Sequence, residues 1–101
     1  MGEMKDNSSQ SPVTKQFEIT RDGQLSYLIY ETDEKEWISL LYTRVAESLR
    51  GRGIGGELAH MGFEYAKAHN LKVDIVCPVS YHFLTKHPEY QPLVIKRHKM
   101  P

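Results

Sequence analysis

The sequence lacks the features that mark several specialised classes of protein. Thirteen lysines and arginines balance thirteen aspartates and glutamates, so the overall charge does not predict a nucleic-acid partner. A single cysteine, Cys77, excludes an internal disulfide framework. The sequence has neither an apolar run of roughly 18 residues, as a membrane span requires, nor a signal-peptide pattern. We therefore expect a soluble cytoplasmic protein with no membrane or nucleic-acid partner, present as a monomer or a weak dimer.

The chain length and the distribution of apolar residues predict one domain. A chain of 101 residues can close one hydrophobic core but rarely two. Residues 1–15 carry hardly any apolar side chains that could offset the entropy lost on ordering, so we predict a disordered tail there. Residues 16–98 are predicted to form the folded domain.

Three strands are predicted at the start of this domain. Apolar residues alternate over 17–19 and 25–29, on either side of Asp22-Gly23, and this arrangement is a strong hairpin signal. A third strand is predicted from Trp37 to Val45, because its apolar run is typical of a central strand covered on both faces. Trp37, Tyr42 and Phe63 are expected in the core.

The spacing then becomes helical, with apolar residues at Ile54, Leu58, Met61 and Tyr65. We predict a helix from Gly53 to about Asn70, a strand over 71–77 and, after Ser80 as cap, a helix to about Lys86, with an edge strand over 92–97. A strand, a crossover helix and a strand in succession predict one parallel pair. The predicted fold is therefore α/β (α+β type), a single mixed sheet in the order β-β-β-α-β-α-(β).

The most informative segment lies between the third strand and the first helix. Gly51, Gly53, Gly55 and Gly56 occur within it, flanked by Arg50 and Arg52. Backbone N–H groups at a helix start lack internal partners and favour an anion, and glycine permits both close approach and positive φ. The segment therefore predicts a phosphate site, whereas an ordinary flexible turn would gain nothing from four glycines.

Two other phosphate-binding motifs agree less well with this segment. The spacing also satisfies G-x-G-x-x-G, with Asp74 about twenty residues further along, as in dinucleotide-binding folds. That motif follows the first strand of a parallel sheet, however, whereas three apparently antiparallel strands precede it here. A P-loop is excluded because no Lys-Ser or Lys-Thr pair closes the loop.

The segment Val45-Ala46-Glu47-Ser48-Leu49-Arg50-Gly51-Arg52-Gly53-Ile54-Gly55 resembles the pyrophosphate loop of the GNAT superfamily of N-acetyltransferases. The family pattern is Arg or Gln, then any two residues, Gly, any one residue, and Gly or Ala. Arg50, Gly53 and Gly55 occupy its three defined positions. The Cys77-Pro78 pair and the segment 81–90 resemble a compact subfamily with a cysteine on the strand after the coenzyme helix.

This resemblance implies a binding site for acetyl-coenzyme A as co-substrate, with no metal. The backbone of Gly51, Arg52, Gly53, Ile54, Gly55 and Gly56, with Arg50, would hold the pyrophosphate. Pantetheine would lie between strands that separate near Val45 and Cys77, hydrogen-bonded to the backbone around Tyr42, Thr43 and Val45. The acceptor would be an amine of unknown identity, because the family helices that usually build its site do not precede the third strand.

Acetyl transfer also requires a base, an oxyanion donor and a proton for the departing thiolate. In many members of the family, a tyrosine in the pattern Leu-Tyr-x-Lys supplies that proton. When Lys86 is aligned with the lysine of this pattern, Leu84 takes the place of the tyrosine, so Tyr81 and His82 are the candidate proton donors instead.

Cys77 is a candidate nucleophile or proton donor, or else a small buried residue. Glu47 is a candidate base acting through water, or simply a solvated carboxylate. His82 and His87 are five residues apart, which does not predict a metal site.

Three functions are consistent with these features. The first is an N-acetyltransferase that uses acetyl-coenzyme A. The second is a coenzyme-binding module with little or no transferase activity, favoured by Leu84 and the missing helices. The third is a nucleotide-binding regulatory domain that uses the same loop.

Overall fold

One five-stranded sheet organises the domain in a computed structural model, which describes residues 12–97. The strands are β1 (Val13–Arg21), β2 (Gln24–Thr32), β3 (Trp37–Arg44), β4 (Lys72–Ile75) and β5 (Val94–Ile95), and they lie in that order across the sheet. The helices are α1 (Ile54–Ala68) and α2 (Pro78–Lys86), with short 3₁₀ segments at Glu47–Leu49 and Pro88–Leu93. The predicted α/β order is confirmed. Within residues 12–97, no helix combines the length and apolar character that a membrane crossing requires.

The β1–β2 hairpin forms at the predicted dipeptide. Asp22 and Gly23 both have positive φ, at 53° and 72°, which matches the twist of an antiparallel pair joined by a two-residue turn. β1 begins at Val13, paired with Thr32, so the strand includes the last three residues of the predicted tail. Backbone pairing orders residues 13–15 although all three are exposed, because each contributes to the β ladder. Residues 1–11, the rest of the predicted tail, and 98, the predicted domain end, lie outside the described range.

The second half of the sheet is parallel. β3 pairs antiparallel with β2 and parallel with β4, which confirms the predicted β3-α1-β4 crossover. β5 also pairs parallel with β4, so the structure has two such crossovers where one was predicted. The second arises because α2 and the segment Pro88–Leu93 return the chain to the same end of the sheet.

The core lies between the sheet and α1. Leu58 and Phe63 of α1 are fully buried, as are Leu28 and Leu40 of the sheet face beneath them. Gly62 permits this close packing, because a Cβ there would lie 3.1 Å from Leu40 Cδ2. The opposite sheet face is more open, since Leu25 is 45% and Tyr42 51% exposed.

A bulge in β3 reverses the face that its last residues occupy. Tyr30 pairs with Leu40, whereas Ile29 pairs with Tyr42, so Leu41 is an extra residue on β3. One extra residue exchanges inward and outward side chains beyond it. The expectation that Tyr42 lies in the core is therefore wrong, although Phe63 is buried and Trp37 half-buried as part of the sheet.

β4 and α2 meet earlier than the sequence predicts. The strand ends at Ile75 and the helix begins at Pro78, with Cys77 as its N-cap residue in place of the predicted Ser80. Proline suits the first helical position because it lacks the N–H that would have no partner there. Pro78 therefore starts the helix three residues after the end of β4, and Ser80 lies buried inside the first turn.

The β2–β3 turn is held by a single carboxylate. Asp33 Oδ1 accepts hydrogen bonds from the backbone N–H groups of Lys35, Glu36 and Trp37 at 2.9, 2.8 and 3.1 Å. Partial burial acts to raise the pKa of Asp33, but these donors outweigh it, so the pKa is lowered. The turn thus depends on Asp33 being ionised.

Replacing this carboxylate should destabilise the domain. We expect Asp33→Ala to lower the free energy of unfolding by about 1–2 kcal/mol at neutral pH, because three donors lose their acceptor. Asp33→Asn is the matched control, since it keeps one acceptor oxygen without the charge. The pKa of Asp33 is lowered in the folded state. The wild type should therefore have a larger free energy of unfolding than Asp33→Asn at neutral pH, and this difference should disappear as the pH falls through the folded-state pKa. Urea unfolding across this range measures it, and a constant difference would contradict the assignment.

Candidate functional site

The glycine-rich loop leads into α1 through two residues in the left-handed region. Gly51 and Gly53 have φ of 84° and 81°, and no heavy atom of residues 12–97 lies within 4 Å of the position of a Cβ at either. Gly53 is the N-cap residue of α1, and no side chain among residues 12–97 caps the helix. The first-turn N–H groups therefore lack a capping acceptor from this part of the chain, and they lie where the helix dipole favours an anion.

The other loop residues differ in what they can offer to a ligand. Ile54 is 1% exposed, so it presents almost no surface to a ligand. A Cβ on Gly55 would lie 2.9 Å from Val79 Cγ1, so this glycine is required for the packing of α1 on α2. A Cβ on Gly56 would lie 3.9 Å from Phe83 Cδ1, which is ordinary contact. The sequence assigned all four glycines to phosphate binding, whereas Gly55 also has this packing role.

The two loop arginines are both exposed, and the structure pairs one of them. Arg52 Nη1 lies 3.0 Å from Asp22 Oδ2 of the β1–β2 turn, with both side chains more than half exposed. An exposed ion pair of this kind contributes little free energy, so a stronger anion can displace it. Arg50 precedes Gly51 and carries the second positive charge of the loop.

β3 and β4 separate just before the loop. Their parallel register ends at Leu40 and Ile75, and the N–H groups of Val76 and Cys77 both donate to the Leu40 carbonyl at 2.9 Å. Beyond this point β3 continues to Arg44 while the other chain segment turns into α2. Residues 41–45, which include the predicted backbone ligands Tyr42, Thr43 and Val45, therefore lie beyond the end of the β3–β4 ladder, and we call this separation of the two strands the gap.

Two predicted site residues meet across this gap. Thr43 Oγ1 lies 3.0 Å from Cys77 Sγ, and either atom can donate the hydrogen bond. The bulge at Leu41 brings Thr43 to the helix side of the sheet and turns Tyr42 outward. Cys77 is 1% exposed and forms the N-cap of α2, where the helix dipole favours negative charge. The two groups are thus held together by one hydrogen bond.

Ser80 adds a second polar group to this region. Its Oγ is buried and has no hydrogen-bond partner among residues 12–97. It lies three positions after Cys77, which puts both residues on neighbouring positions of one helical turn. A buried hydroxyl without a partner costs free energy, so this one is a candidate hydrogen-bonding group for a bound molecule.

The other two catalytic candidates lie apart. Tyr81 is 61% exposed, and its N–H donates to the Cys77 carbonyl at 3.1 Å, one turn away. His82 is exposed and lines a cavity beside Gly53 and Gly56. The structure therefore places the Tyr81 backbone one helical turn from Cys77 and His82 beside the glycine loop. Glu47 is exposed within the short 3₁₀ segment.

The cavity beside His82 has a volume of about 510 Å³ and runs between α1 and α2. We call it the interhelical cavity. Its lining residues are Gly53, Gly56, Glu57 and His60 from the α1 side and Val79, His82, Phe83, Lys86 and His87 from the α2 side. Sequence reasoning missed most of them, although spacings of three and four residues along each helix could have indicated a shared face.

The charge on this cavity is mainly positive or protonatable. Its acidic residue, Glu57, is bound by Arg21, whose Nη1 and Nη2 lie 2.9 and 3.1 Å from the carboxylate oxygens. This hydrogen bonding lowers the pKa of Glu57. Among residues 12–97 no group of three His, Cys, Asp or Glu side chains is arranged to hold a metal ion.

Comparison with known proteins agrees with this geometry. A family model described as GCN5-related N-acetyl-transferase matches residues 16–93. Protein NATD1 of Xenopus tropicalis is 28% identical over 76 residues, covering 73% of this chain and 70% of that protein. The segment matched by the family model includes the glycine loop, both helices and Cys77.

Proposed function

This chain belongs to the GCN5-related N-acetyltransferase family, and from that membership we propose that it binds acetyl-coenzyme A and transfers the acetyl group to an amine. The glycine loop carries the proposal. Gly51 and Gly53 adopt positive φ, and within the described residues 12–97 their Cβ positions have no close neighbour and α1 begins without a side-chain cap. Backbone N–H groups at a helix start that no side chain caps are suited to a pyrophosphate.

The gap between β3 and β4 supports a binding site for the pantetheine arm of the coenzyme. A pantetheine arm that leaves the loop toward Cys77 would pass the backbone of residues 41–45, where the β4 ladder has ended. Backbone groups there would bind its amides and hold the thioester near Thr43 and Cys77. Acetyl-coenzyme A would supply the activated acetyl group.

Cys77 and Thr43 are the groups that we assign to proton transfer. As the amine nitrogen bonds to the acetyl carbon and the carbon–sulfur bond breaks, Cys77 would donate its proton to the departing sulfur. Thr43 would orient the thiol, and water would return to Cys77 the proton that the acylated amine releases. A buried thiol suits this role better than that of an acetyl carrier, because a carrier must be reached in turn by two substrates. Tyr81 is the alternative donor.

Binding is tested first. Calorimetry with acetyl-coenzyme A, coenzyme A and ATP should give clearly tighter binding for both coenzyme forms, because only these reach the gap beside β3. Equal affinity for ATP would instead support a nucleotide-binding domain. Coenzyme binding without turnover across a panel of peptide and small amines would support the coenzyme-binding module, which is favoured by Leu84, a buried side chain where an acid would be expected.

The role of Cys77 is tested by replacing its sulfur atom with oxygen. We expect Cys77→Ser to reduce transfer by roughly tenfold or more, since the hydroxyl donates a proton far less readily than a thiol. Coenzyme affinity should change by less than about twofold, because the loop supplies most of the binding. Tyr81→Phe is the comparison variant and should keep most of the activity. Unchanged turnover in Cys77→Ser with a large loss in Tyr81→Phe would move the donor role to Tyr81.

A further inference from the structure

The sheet face opposite α1 is covered on one side and exposed on the other. On the side of β4 and β5, Arg97 Cζ lies 3.5 Å from the centroid of the Trp37 ring, and the Arg97 N–H donates to Asp74 at 2.9 Å. Toward the β1–β2 turn, the same face leaves Leu25 45% and Tyr42 51% exposed. Exposed apolar groups that share one face mark a candidate interaction surface.

The strand registers place an acid, an aromatic ring and a base in one row across this exposed part. Glu18 of β1 pairs with Tyr27 of β2, and Tyr27 pairs with Arg44 of β3. Directly paired residues project from the same face of a sheet, and this row lies on the face opposite the fully buried Leu28. We call these three residues, together with Leu25, Ile29 and Tyr42 on the same face, the open-face patch.

The charged ends of the row are available to a second molecule. Glu18 and Arg44 are both exposed, and neither forms an ion pair with any residue in the range 12–97. Glu18 accepts one hydrogen bond, from Gln16 at 2.7 Å. Because the patch carries both signs of charge, a polyanion or a polycation would be repelled by one end of the row. The surface therefore favours a partner that carries both signs as well.

The row is complementary to itself. When two copies pack these faces together around a two-fold axis that runs close to β2 at Tyr27, the rotation exchanges the two ends of the row. Glu18 of each copy then faces Arg44 of the other, across sheets that lie about 10 Å apart, a distance that the two long side chains can bridge. Glu31 lies four residues along β2 from Tyr27, and the crossing of packed sheets at about 30° separates its two copies.

We propose that this protein forms a weak homodimer through the open-face patch, with Glu18 of each copy paired to Arg44 of the other. The inference does not rest on the proposed function, since no residue of the glycine loop belongs to the patch. The patch extends about 14 Å across three strands and about 13 Å along β2. This area is much smaller than a standard interface, so we expect a dissociation constant of roughly 10 μM or weaker.

The test reverses one charge at a time in the full chain and then mixes the two variants. Glu18→Arg places two arginines opposite each other in its own dimer, and Arg44→Glu places two glutamates opposite each other. Each variant alone should therefore have a dissociation constant roughly tenfold or more above that of the wild type, measured by sedimentation velocity. In a one-to-one mixture, mixed dimers restore opposite charges at both contacts, so the dissociation constant should return to within about threefold of the wild type.

Lys67→Glu is the matched control, because it makes the same change of charge as Arg44→Glu on an exposed residue of α1. It should leave the dissociation constant within about twofold of the wild type. Rescue on mixing requires a contact between copies, since mixing changes nothing within one chain, and it also shows that both variants are folded.

Four results would overturn the proposal. The first is a wild type that stays monomeric at about 1 mM, which would leave the patch to another occupant. The second is dimerisation that neither charge reversal weakens, which would place the interface elsewhere. The third is a loss that mixing does not restore, and the fourth is an equal loss in Lys67→Glu, which would show a general effect of net charge.

Discussion

Gly53→Asp should weaken coenzyme A binding by roughly a thousandfold without unfolding the domain. Gly53 has φ of 81° with open space around its Cβ position, and aspartate tolerates this region better than most residues. A carboxylate about 4 Å from the pyrophosphate would cost about 4 kcal/mol at a dielectric typical of a protein surface. It would also occupy the N–H groups at the start of α1, as an N-cap aspartate does.

Gly53→Asn isolates the charge from the shape. Asparagine has nearly the same volume and the same tolerance of positive φ, so it should weaken binding far less than aspartate does. Calorimetry on both variants gives the comparison, and circular dichroism checks that each is folded. Equal affinities for the two variants would show that an anion does not bind at this loop. Gly55 is unsuitable for this test, because any side chain there meets Val79.

Phe63→Ala should have the largest effect on stability. Phe63 is 0% exposed and stacks on Phe83 and Tyr90 with centroid distances of 5.7 and 5.0 Å, so it joins α1 to both segments of the second crossover. Truncating such a ring costs about 3–5 kcal/mol through lost burial and the cavity that remains. For a domain of this size we expect the melting temperature to fall by roughly 15 °C or more.

Leu25→Ala is the matched control for this loss. Leu25 is 45% exposed on the open face of the sheet, so removing its side chain deletes apolar contact without leaving an internal cavity. Its effect should stay below about 1 kcal/mol in thermal or urea unfolding. If the two variants lost similar stability, the open face would have to be as tightly packed as the core.

Local chemistry explains which parts of the fold could be predicted. Asp22-Gly23 requires a tight turn, and Asn70, with φ of 58°, follows the end of α1, so both boundaries were predictable from residue type. The bulge at Leu41 was not, since no glycine or proline marks it and it follows from the pairing of β3 with two neighbours. That bulge decides that Tyr42 points outward and Thr43 inward.

The candidate site was predictable to a similar degree. The glycine spacing indicated an anion site because backbone requirements appear directly in the sequence. The contact between Thr43 and Cys77 joins residues 34 positions apart and depends on where two strands separate. The cavity wall formed by Phe83 and Lys86 depends on how α2 packs against α1, and this is a tertiary property that no local pattern encodes.

The end of the β3–β4 ladder at Leu40 also bears on how this protein can diversify. If pantetheine continues the ladder beside residues 41–45, as we propose, it is bound as an added strand is bound, through main-chain groups. Any side chain that keeps the same backbone path then preserves the coenzyme contacts. Tyr42 and Arg44 project from that path as exposed residues of β3, so their side chains can change while the backbone contacts to the coenzyme remain the same.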